Sequence, residues 1–321
     1  MKKLLLAAAL SVVALVTSAQ STPIADYPTK PIHLLLPFSA GGGGDVLGRL
    51  LADRMGKRLK ESIFVDNKPG AAGTIGTNVV AMSAPDGYTI MIGGMSTHTL
   101  APATYARLPY DPIKDFATIG RIGTSAIVMV AINDFPANNL KEFVALAKAK
   151  PGVQYASWGP GSTGHFCGEI LAQKAGIQLE HVPFKGASQI MNDMLGGHIA
   201  VGFVDMATGT PFVKDGRVKA LGVCTQRSPS LPQVASYKEQ GIDFDKTLSW
   251  VMYAPAHTPK PIVEKLSATL QATLKEPEVV TKLLALGITA DFLSGEEQAA
   301  ANARDIPIWR KIAQDANLKL E

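Results

Sequence analysis

The segment from Ile32 to Asp45, IHLLLPFSAGGGGD, constrains the fold more than any other part of the sequence. An apolar run of strand length passes through four consecutive glycines into a helical pattern, in which Leu47, Leu51 and Met55 recur on one face. A strand that ends in glycines and opens a helix leaves backbone N–H groups unpaired, and such groups bind carboxylate or phosphate oxygens. The segment therefore predicts an anion-binding loop mounted on an α/β unit.

A glycine-rich connection without a ligand is an equally open interpretation of the glycine run taken alone. The spacing of the glycines does not fit the common nucleotide-binding motifs. The third glycine position of a G-x-G-x-x-G fingerprint falls on Val46 or Leu47, and the chain contains no G-x-x-x-x-G-K-[ST] sequence. If the loop binds an anion, we therefore expect a small one.

The N-terminal residues have the pattern of an export signal. Two lysines at positions 2 and 3 precede an apolar run from Leu4 to Val16, and small residues at positions 17–19 fit a cleavage site. The run is shorter than the roughly 20 apolar residues that span a membrane. We expect a signal peptide at 1–19, cleaved near Ala19, and a soluble periplasmic product.

Charge and length exclude some classes of protein. Loss of the two N-terminal lysines lowers the count of basic residues from 31 to 29, against 27 acidic ones, and no basic cluster is present. Nucleic acid is therefore not an expected partner. The length exceeds what one core usually supports, so two domains are expected. Cys167 and Cys224 could pair in an oxidising compartment or remain two separate buried thiols.

Short apolar runs alternate with helical patterns, which predicts an α/β fold with a mainly parallel sheet. The predicted strands are 32–36, 63–65, 88–92, 127–131, 153–157, 179–182, 199–204, 218–223 and 249–253. An extended stretch from Phe116 to Ala131 is suited to carry the chain between domains, and a second crossing is expected after Cys224. We predict a discontinuous domain 1 at 20–124 and 229–321, and domain 2 at 125–228.

Loops beyond the carboxyl ends of the strands are the candidates for a site. They are Phe38–Asp45, Gly93–Thr99, Trp158–His165 and Pro183–Ser188. The third places Ser162 near His165, but a nucleophile elbow needs G-x-S-x-G and residue 160 is proline, so we expect no catalytic residue. The histidines and cysteines show no metal-binding spacing, and no metal or other cofactor is expected.

Eight sequence blocks carry a family resemblance. They are, in order, YPTKPIHLLLPFSAGGGGD, VDNKPGAAGTIGT, APDGYTI, YARLPYDPIKDF, YASWGPGSTGHF, VPFKGAS, GRVKALGV and YAPAHTP. In these blocks and their order the chain resembles Bug-type periplasmic solute-binding proteins, the receptor components of tripartite tricarboxylate transporters. The resemblance implies a two-domain α/β periplasmic binding protein (type II-like) with a ligand cleft between domains joined by crossing strands. It also implies closure over a small carboxylate and delivery to membrane subunits.

The resemblance extends to the residues that would line the cleft. It implies Phe38, Ser39, Ala40, Gly41, Gly42 and Ser96 in the first domain, and Ser162, Thr163, Gly164, Gly186 and Ala187 in the second. Trp158, with Phe38, Phe184 and Phe203, could form an aromatic or apolar wall, or each could be a core residue beside the cleft. We expect a monomer. An extracytoplasmic serine hydrolase and a signalling receptor of the same fold are the alternative functions.

One departure from the family pattern bears on the ligand. The family shows Phe-Asp where this chain has Phe203-Val204, and Asp205 comes one position later. Successive strand residues point to opposite faces, so Asp205 need not replace the missing carboxylate, although it remains a candidate site residue. A ligand ammonium would then lose a partner. We therefore expect an acid without an ammonium group, either dicarboxylic or aromatic.

Overall fold

The computed structural model describes residues 26–244 and 246–315, and the predicted signal peptide with its cleavage point lies outside these ranges. The strands are β1 (Ile32–Leu36), β2 (Ile63–Asn67), β3 (Thr89–Gly94), β4 (Phe116–Ser125), β5 (Ile127–Ala131), β6 (Val153–Ser157), β7 (Leu179–Pro183), β8 (Val201–Asp205), β9 (Lys219–Val223), β10 (Leu248–Pro255) and β11 (Thr289–Ala290). The helices are α1 (Gly43–Leu59), α2 (Thr74–Ala81), α3 (Ala101–Thr104), α4 (Leu140–Ala149), α5 (Thr163–Ala175), α6 (Ala187–Leu195), α7 (Met206–Lys214), α8 (Lys260–Leu274), α9 (Pro277–Ala285) and α10 (Gly295–Asp315).

The described strands form two sheets, with the orders β11-β4-β10-β3-β1-β2 and β7-β6-β8-β5-β9. We call the parts built on them lobe 1 and lobe 2. β1 pairs in parallel with β2 and β3, and β6 with β7 and β8. β10 and β5 instead run antiparallel to both of their neighbours, so the sheets are mixed rather than mainly parallel. The chain enters β5 from lobe 1 and β10 from lobe 2, so both strands start at the cleft. Their neighbours end at the cleft, and the pairing is therefore antiparallel.

In the described part of the chain, two connections lead from the strands of one sheet to those of the other. The first crossing is short, because only Ala126 separates β4 from β5. After β9 the chain stays on lobe 2, where Leu231 and Tyr237 are fully buried in its core. The exact division of the chain into domains, at 228/229 in the sequence analysis, stays a prediction. A disulfide joins Cys167 on α5 to Cys224, directly after β9.

Helix α10 contacts both lobes. Its Asn302 donates to the Tyr253 hydroxyl on β10 at 3.0 Å. Near its other end Trp309 packs on Phe166 and Phe244, with ring centroids 5.1 and 5.9 Å apart. None of the described helices is long and apolar enough to cross a membrane.

Candidate ligand-binding site

The glycine loop connects β1 to α1, and Gly42 is the N-terminal cap of that helix. Gly41 has a φ of +76°, a left-handed conformation that favours glycine. Its N–H donates to Asp45 at 3.0 Å, and Arg49 pairs with the same carboxylate at 3.0 Å. Burial alone would raise the pKa of Asp45, but hydrogen bonds from Arg49 and Gly41 hold it below the usual value. The loop therefore already contains one paired carboxylate of its own.

A cavity of about 60 Å³ lies where the loops of the two lobes meet. Its lining is mainly apolar. The lining residues are Pro37, Phe38, Ser39, Gly42, Gly44, Gly73, Gly93, Gly94, Met95, Ser96, Thr97, Ile127, Trp158, Thr163, Lys185, Gly186, Ala187, Asp205, Leu248, Ser249 and Trp250. All four candidate loops contribute, together with the start of β10.

The structure brings most of the predicted site residues to this cavity. Those that line it are Phe38, Ser39, Gly42, Ser96, Trp158, Thr163, Gly186, Ala187 and Asp205. Four others, Ala40, Gly41, Ser162 and Gly164, lie in the same loops but outside the lining. Gly164 is instead covered by the Trp158 ring, because a Cβ there would lie 2.7 Å from the indole.

Two hydroxyls from opposite lobes bind each other beside the cavity. Ser96 Oγ and Thr163 Oγ1 are 2.7 Å apart, and the Thr163 N–H donates to Ser96 Oγ at 3.2 Å. Both side chains are buried. In this closed arrangement the two hydroxyls therefore satisfy one another.

Further hydrogen bonds join the glycine loop to lobe 2. Ser39 Oγ donates to the Lys185 carbonyl at 3.1 Å, and Ser188 Oγ donates to the Ala40 carbonyl at 3.3 Å. The Gly43 N–H, in the first turn of α1, donates to Thr208 Oγ1 at 2.9 Å. The two lobes are therefore in direct contact on several sides of the cavity.

Ser162 caps helix α5 and is completely buried. Its Oγ accepts the His165 N–H at 3.2 Å and lies 3.2 Å from Ser157 Oγ. Ser157 in turn lies 2.6 Å from His181 Nε2, and the His165 ring stacks on His181 at 4.1 Å. Burial, and secondarily His181, lowers the pKa of His165 to about 3. These contacts give Ser162 a structural role in holding the loop.

The structure distinguishes Val204 from Asp205. Val204 is fully buried in the lobe 2 core, whereas Asp205 lines the cavity and caps α7. The Asp205 carboxylate accepts the Thr208 N–H and the Thr208 hydroxyl, both at 2.9 Å. Burial raises the pKa of Asp205 above its usual value, against the effect of these bonds. Val204 therefore cannot contact a ligand in this conformation, and the cavity does contain a carboxyl group.

The aromatic wall differs from the one considered from sequence. Phe38 and Trp158 line the cavity, but Phe203 is buried in the lobe 2 core against Tyr155. Trp250 replaces it and contacts the Phe38 ring edge-on at 5.3 Å. Sequence reasoning missed Trp250 because β10 is distant in sequence from the loops. The available signal was Gly93-Gly94, since paired glycines in a strand often mark a close approach, here of β10.

Two lobes of α/β structure that meet over a small, mainly apolar cavity define a binding protein that encloses its ligand. The chain matches the model of the tripartite tricarboxylate transporter family receptor over residues 47–318 and belongs to that family. The Bug-type resemblance and the two-lobe periplasmic-binding-protein fold expected from the sequence are thereby confirmed. The family is one of binding proteins and not of enzymes.

Solved structures of similar proteins agree with this assignment. The chain is similar to the periplasmic binding protein BugD, with 34% identity and a TM-score of 0.87 over 92% of this chain and 100% of that one. It is similar to MatC of Rhodopseudomonas palustris with bound malate, with 28% identity and a TM-score of 0.85 over 89% and 99%. It is also similar to Rpa4515 of R. palustris with adipate, with 27% identity and a TM-score of 0.87 over 91% and 99%.

Proposed function

We propose that this protein is an exported receptor that captures a small carboxylate between its lobes and delivers it to the membrane subunits of a tripartite transporter. The observation that carries the proposal is the cavity between the lobes, with hydrogen bonds that join the lobes beside it. Two helices begin beside it, one in each lobe: α1 after Gly42 and α5 after Ser162. Helix N-termini favour carboxylate oxygens because their N–H groups and dipoles carry partial positive charge.

Closure of the lobes is the mechanism of this capture. In an open form the hydroxyls of Ser96 and Thr163 would be separated and hydrated, and closure replaces water by the contacts described above. A ligand that touches both lobes binds the closed form better and shifts the population toward it. The closed form then presents one joined surface to a membrane partner.

The lining supports a ligand with an apolar body. Phe38, Trp158 and Trp250 supply aromatic surface suited to an aliphatic or aromatic skeleton. Adipate in one similar protein and malate in another support a small, dicarboxylic ligand here. The sequence favoured an acid without an ammonium group, but that preference assumed no carboxylate in the cleft. Asp205 in the lining removes the reason for it.

Export and partners are parts of the same proposal. The N-terminal pattern supports a signal peptide cleaved near Ala19, and family membership supports the periplasm as the site of action. The proposal includes a receptor that acts as a monomer and needs no cofactor.

A screen of carboxylates tests the proposal. The mature protein should be stabilised in a thermal-shift assay by at least one mono- or dicarboxylate, and calorimetry should give a Kd of about 1 μM or tighter, which is about 8 kcal/mol of binding. Scattering should show compaction on binding. If no member of a broad panel stabilises the protein, the proposed function is wrong.

A further inference from the structure

The two loops that lead into α1 and α5 share one backbone geometry, although their sequences differ. In each loop a glycine with a φ of +76°, Gly41 or Gly161, directly precedes the residue that caps the helix. In each loop the aromatic residue three positions before that glycine, Phe38 or Trp158, lines the cavity. The two loops are therefore equivalent parts of the two lobes, and a contact found in both is a candidate for a shared role.

One side-chain contact recurs at the same position of both loops. The third residue of each helix reaches back to the left-handed glycine: Asp45 Oδ2 accepts the Gly41 N–H at 3.0 Å, and His165 Nδ1 accepts the Gly161 N–H at 3.1 Å. In a capping box the side chain of the third residue binds the N–H of the cap, and here it reaches one residue further back. The acceptors differ in chemistry, because lobe 1 uses a carboxylate and lobe 2 uses an imidazole.

The imidazole in lobe 2 is held in one orientation. His165 is 8% exposed, and its ring stacks on His181 with 4.1 Å between the centroids. Its Nε2 lies 3.7 Å from Glu169 Oε1, and the same oxygen accepts the Tyr155 hydroxyl at 2.6 Å. Burial lowers the pKa of His165 to about 3, so the ring is neutral near pH 7. Because Nδ1 accepts the Gly161 N–H, the single ring proton lies on Nε2.

The bond to His165 restrains a loop that is costly to order. Trp158 and Thr163 line the cavity, and between them lie two glycines with positive φ, Gly159 and Gly161. Glycine loses more conformational freedom on folding than any other residue. The Gly161 N–H is also buried, and a buried N–H without an acceptor lowers stability. A fixed acceptor at this point limits the turn and sets the direction in which the N-terminus of α5 faces the cavity.

We propose that His165 is a positioning residue of the ligand site: by accepting the Gly161 N–H at Nδ1, it holds the loop that carries Trp158 and Thr163 to the cavity. This inference rests on the proposed function and goes beyond it, because His165 itself is not part of the cavity lining. It acts on the ligand only through the loop. The hydrogen bond, and not the bulk of the ring, is the part of the side chain that binding needs.

Two substitutions at His165 separate the hydrogen bond from the bulk of the ring. His165→Asn keeps an acceptor, since its amide oxygen is as many bonds from the backbone as Nδ1, whereas His165→Leu has no acceptor. For a carboxylate that binds wild-type protein, we expect His165→Leu to bind at least about tenfold more weakly. His165→Asn should stay within about threefold of wild type. Calorimetry measures the affinities, and urea titration measures the stability of each variant.

Glu142→Leu is the matched control, because it removes the same kind of contact from a helix that does not reach the cavity. Glu142 is the third residue of α4 and accepts the Asn138 N–H at 2.7 Å, and no residue of α4 lines the cavity. The control should lower the urea midpoint and leave the affinity unchanged.

Three results overturn the role of His165 and leave the proposed function standing. They are wild-type affinity in His165→Leu, equally weak binding by both His165 variants, and an equal loss of affinity in Glu142→Leu. Absence of binding of every carboxylate to wild-type protein overturns both the role of His165 and the proposed function.

The tautomer of His165 in wild-type protein is an independent readout that needs neither a variant nor a ligand. Nitrogen NMR at pH 7, with the His165 ring assigned through its backbone, should show an unprotonated Nδ1 and a protonated Nε2. A proton on Nδ1 overturns the inference, because that nitrogen could not then accept the Gly161 N–H.

Discussion

At the residue scale, Gly43 is where the glycine loop meets lobe 2 with no room for a side chain. A Cβ there would lie 2.1 Å from Asp205 Oδ1 and 2.4 Å from Ala207 Cβ. Gly41 differs, because its Cβ would have no atom within 4 Å, but its φ of +76° strains any other residue. The two glycines are therefore required for different reasons, Gly43 for contact between the lobes and Gly41 for the shape of the loop.

We expect Gly43→Ala to weaken carboxylate binding at least about tenfold and to leave the urea midpoint of unfolding unchanged, since the clash exists only between closed lobes. Gly41→Ala is the matched control. It should lower the free energy of unfolding by about 1 kcal/mol and leave affinity nearly unchanged. Calorimetry and urea titration of both variants check this. Wild-type affinity in Gly43→Ala would show that closure does not need this contact.

At the element scale, two helices of lobe 2 begin with the same kind of cap but differ in position. Ser162 caps α5 beside the cavity, and Asn139 caps α4, where its side chain accepts the Glu142 N–H at 2.9 Å. The Ser162 cap also fixes Thr163, whose N–H donates to Ser96 of lobe 1. The Asn139 cap therefore stabilises its helix only, whereas the Ser162 cap stabilises its helix and also positions Thr163 at the cavity.

Ser162→Ala and Asn139→Ala should each cost about 1 kcal/mol of stability, the usual value of a lost cap. Only Ser162→Ala should also weaken binding, because Thr163 loses its fixed position. Urea denaturation and calorimetry on the pair separate the two effects. Equal binding losses in both variants would mean that general destabilisation, not the α5 loop, lowers affinity.

At the scale of the whole molecule, buried histidines link stability to pH. Burial lowers the pKa of His98 to about 3 and that of His181 to about 4. His98 stacks on Tyr253 of β10 with 3.7 Å between ring centroids, so it belongs to the core of lobe 1. In the unfolded chain a histidine titrates near 6.5. Between about pH 6.5 and pH 3 the unfolded state therefore binds more protons, and stability falls as pH falls.

His98→Phe should reduce the loss of stability at acid pH. Each neutral buried histidine contributes a slope of up to about 1.4 kcal/mol per pH unit well below pH 6.5, and phenylalanine removes one such contribution while keeping the stack. At pH 7 the variant should be about 1 kcal/mol less stable than wild type, because the bond to Thr97 is missing. At pH 4.5 its urea midpoint should lie closer to that of wild type, or above it. His198→Phe, on the exposed surface, is the control. Parallel stability–pH curves for wild type and His98→Phe would contradict the prediction.

The sequence by itself determined the local structure and the family. Apolar runs bounded by turn residues predicted β1, β5 and β6 with the bounds that the structure has, because strand length and side-chain pattern are local properties. The same pattern showed that glycine loops precede α1 and α5. Ordered blocks of sequence indicated the receptor family. Because members of a family share one fold, the resemblance also indicated which loops line the cavity.

Only the tertiary structure decided how distant segments meet. It paired Cys167 with Cys224, placed Asp205 rather than Val204 at the cavity, and brought Trp250 beside the glycine loop. Neighbouring residues of β8 face opposite sides of the sheet, as in any strand. Which side faces the cleft depends on the register of β8 against β5. The bond between Ser96 and Thr163 likewise joins residues of the two different lobes. These contacts join residues far apart in the chain, and their geometry is set by packing of whole lobes, which no local pattern encodes.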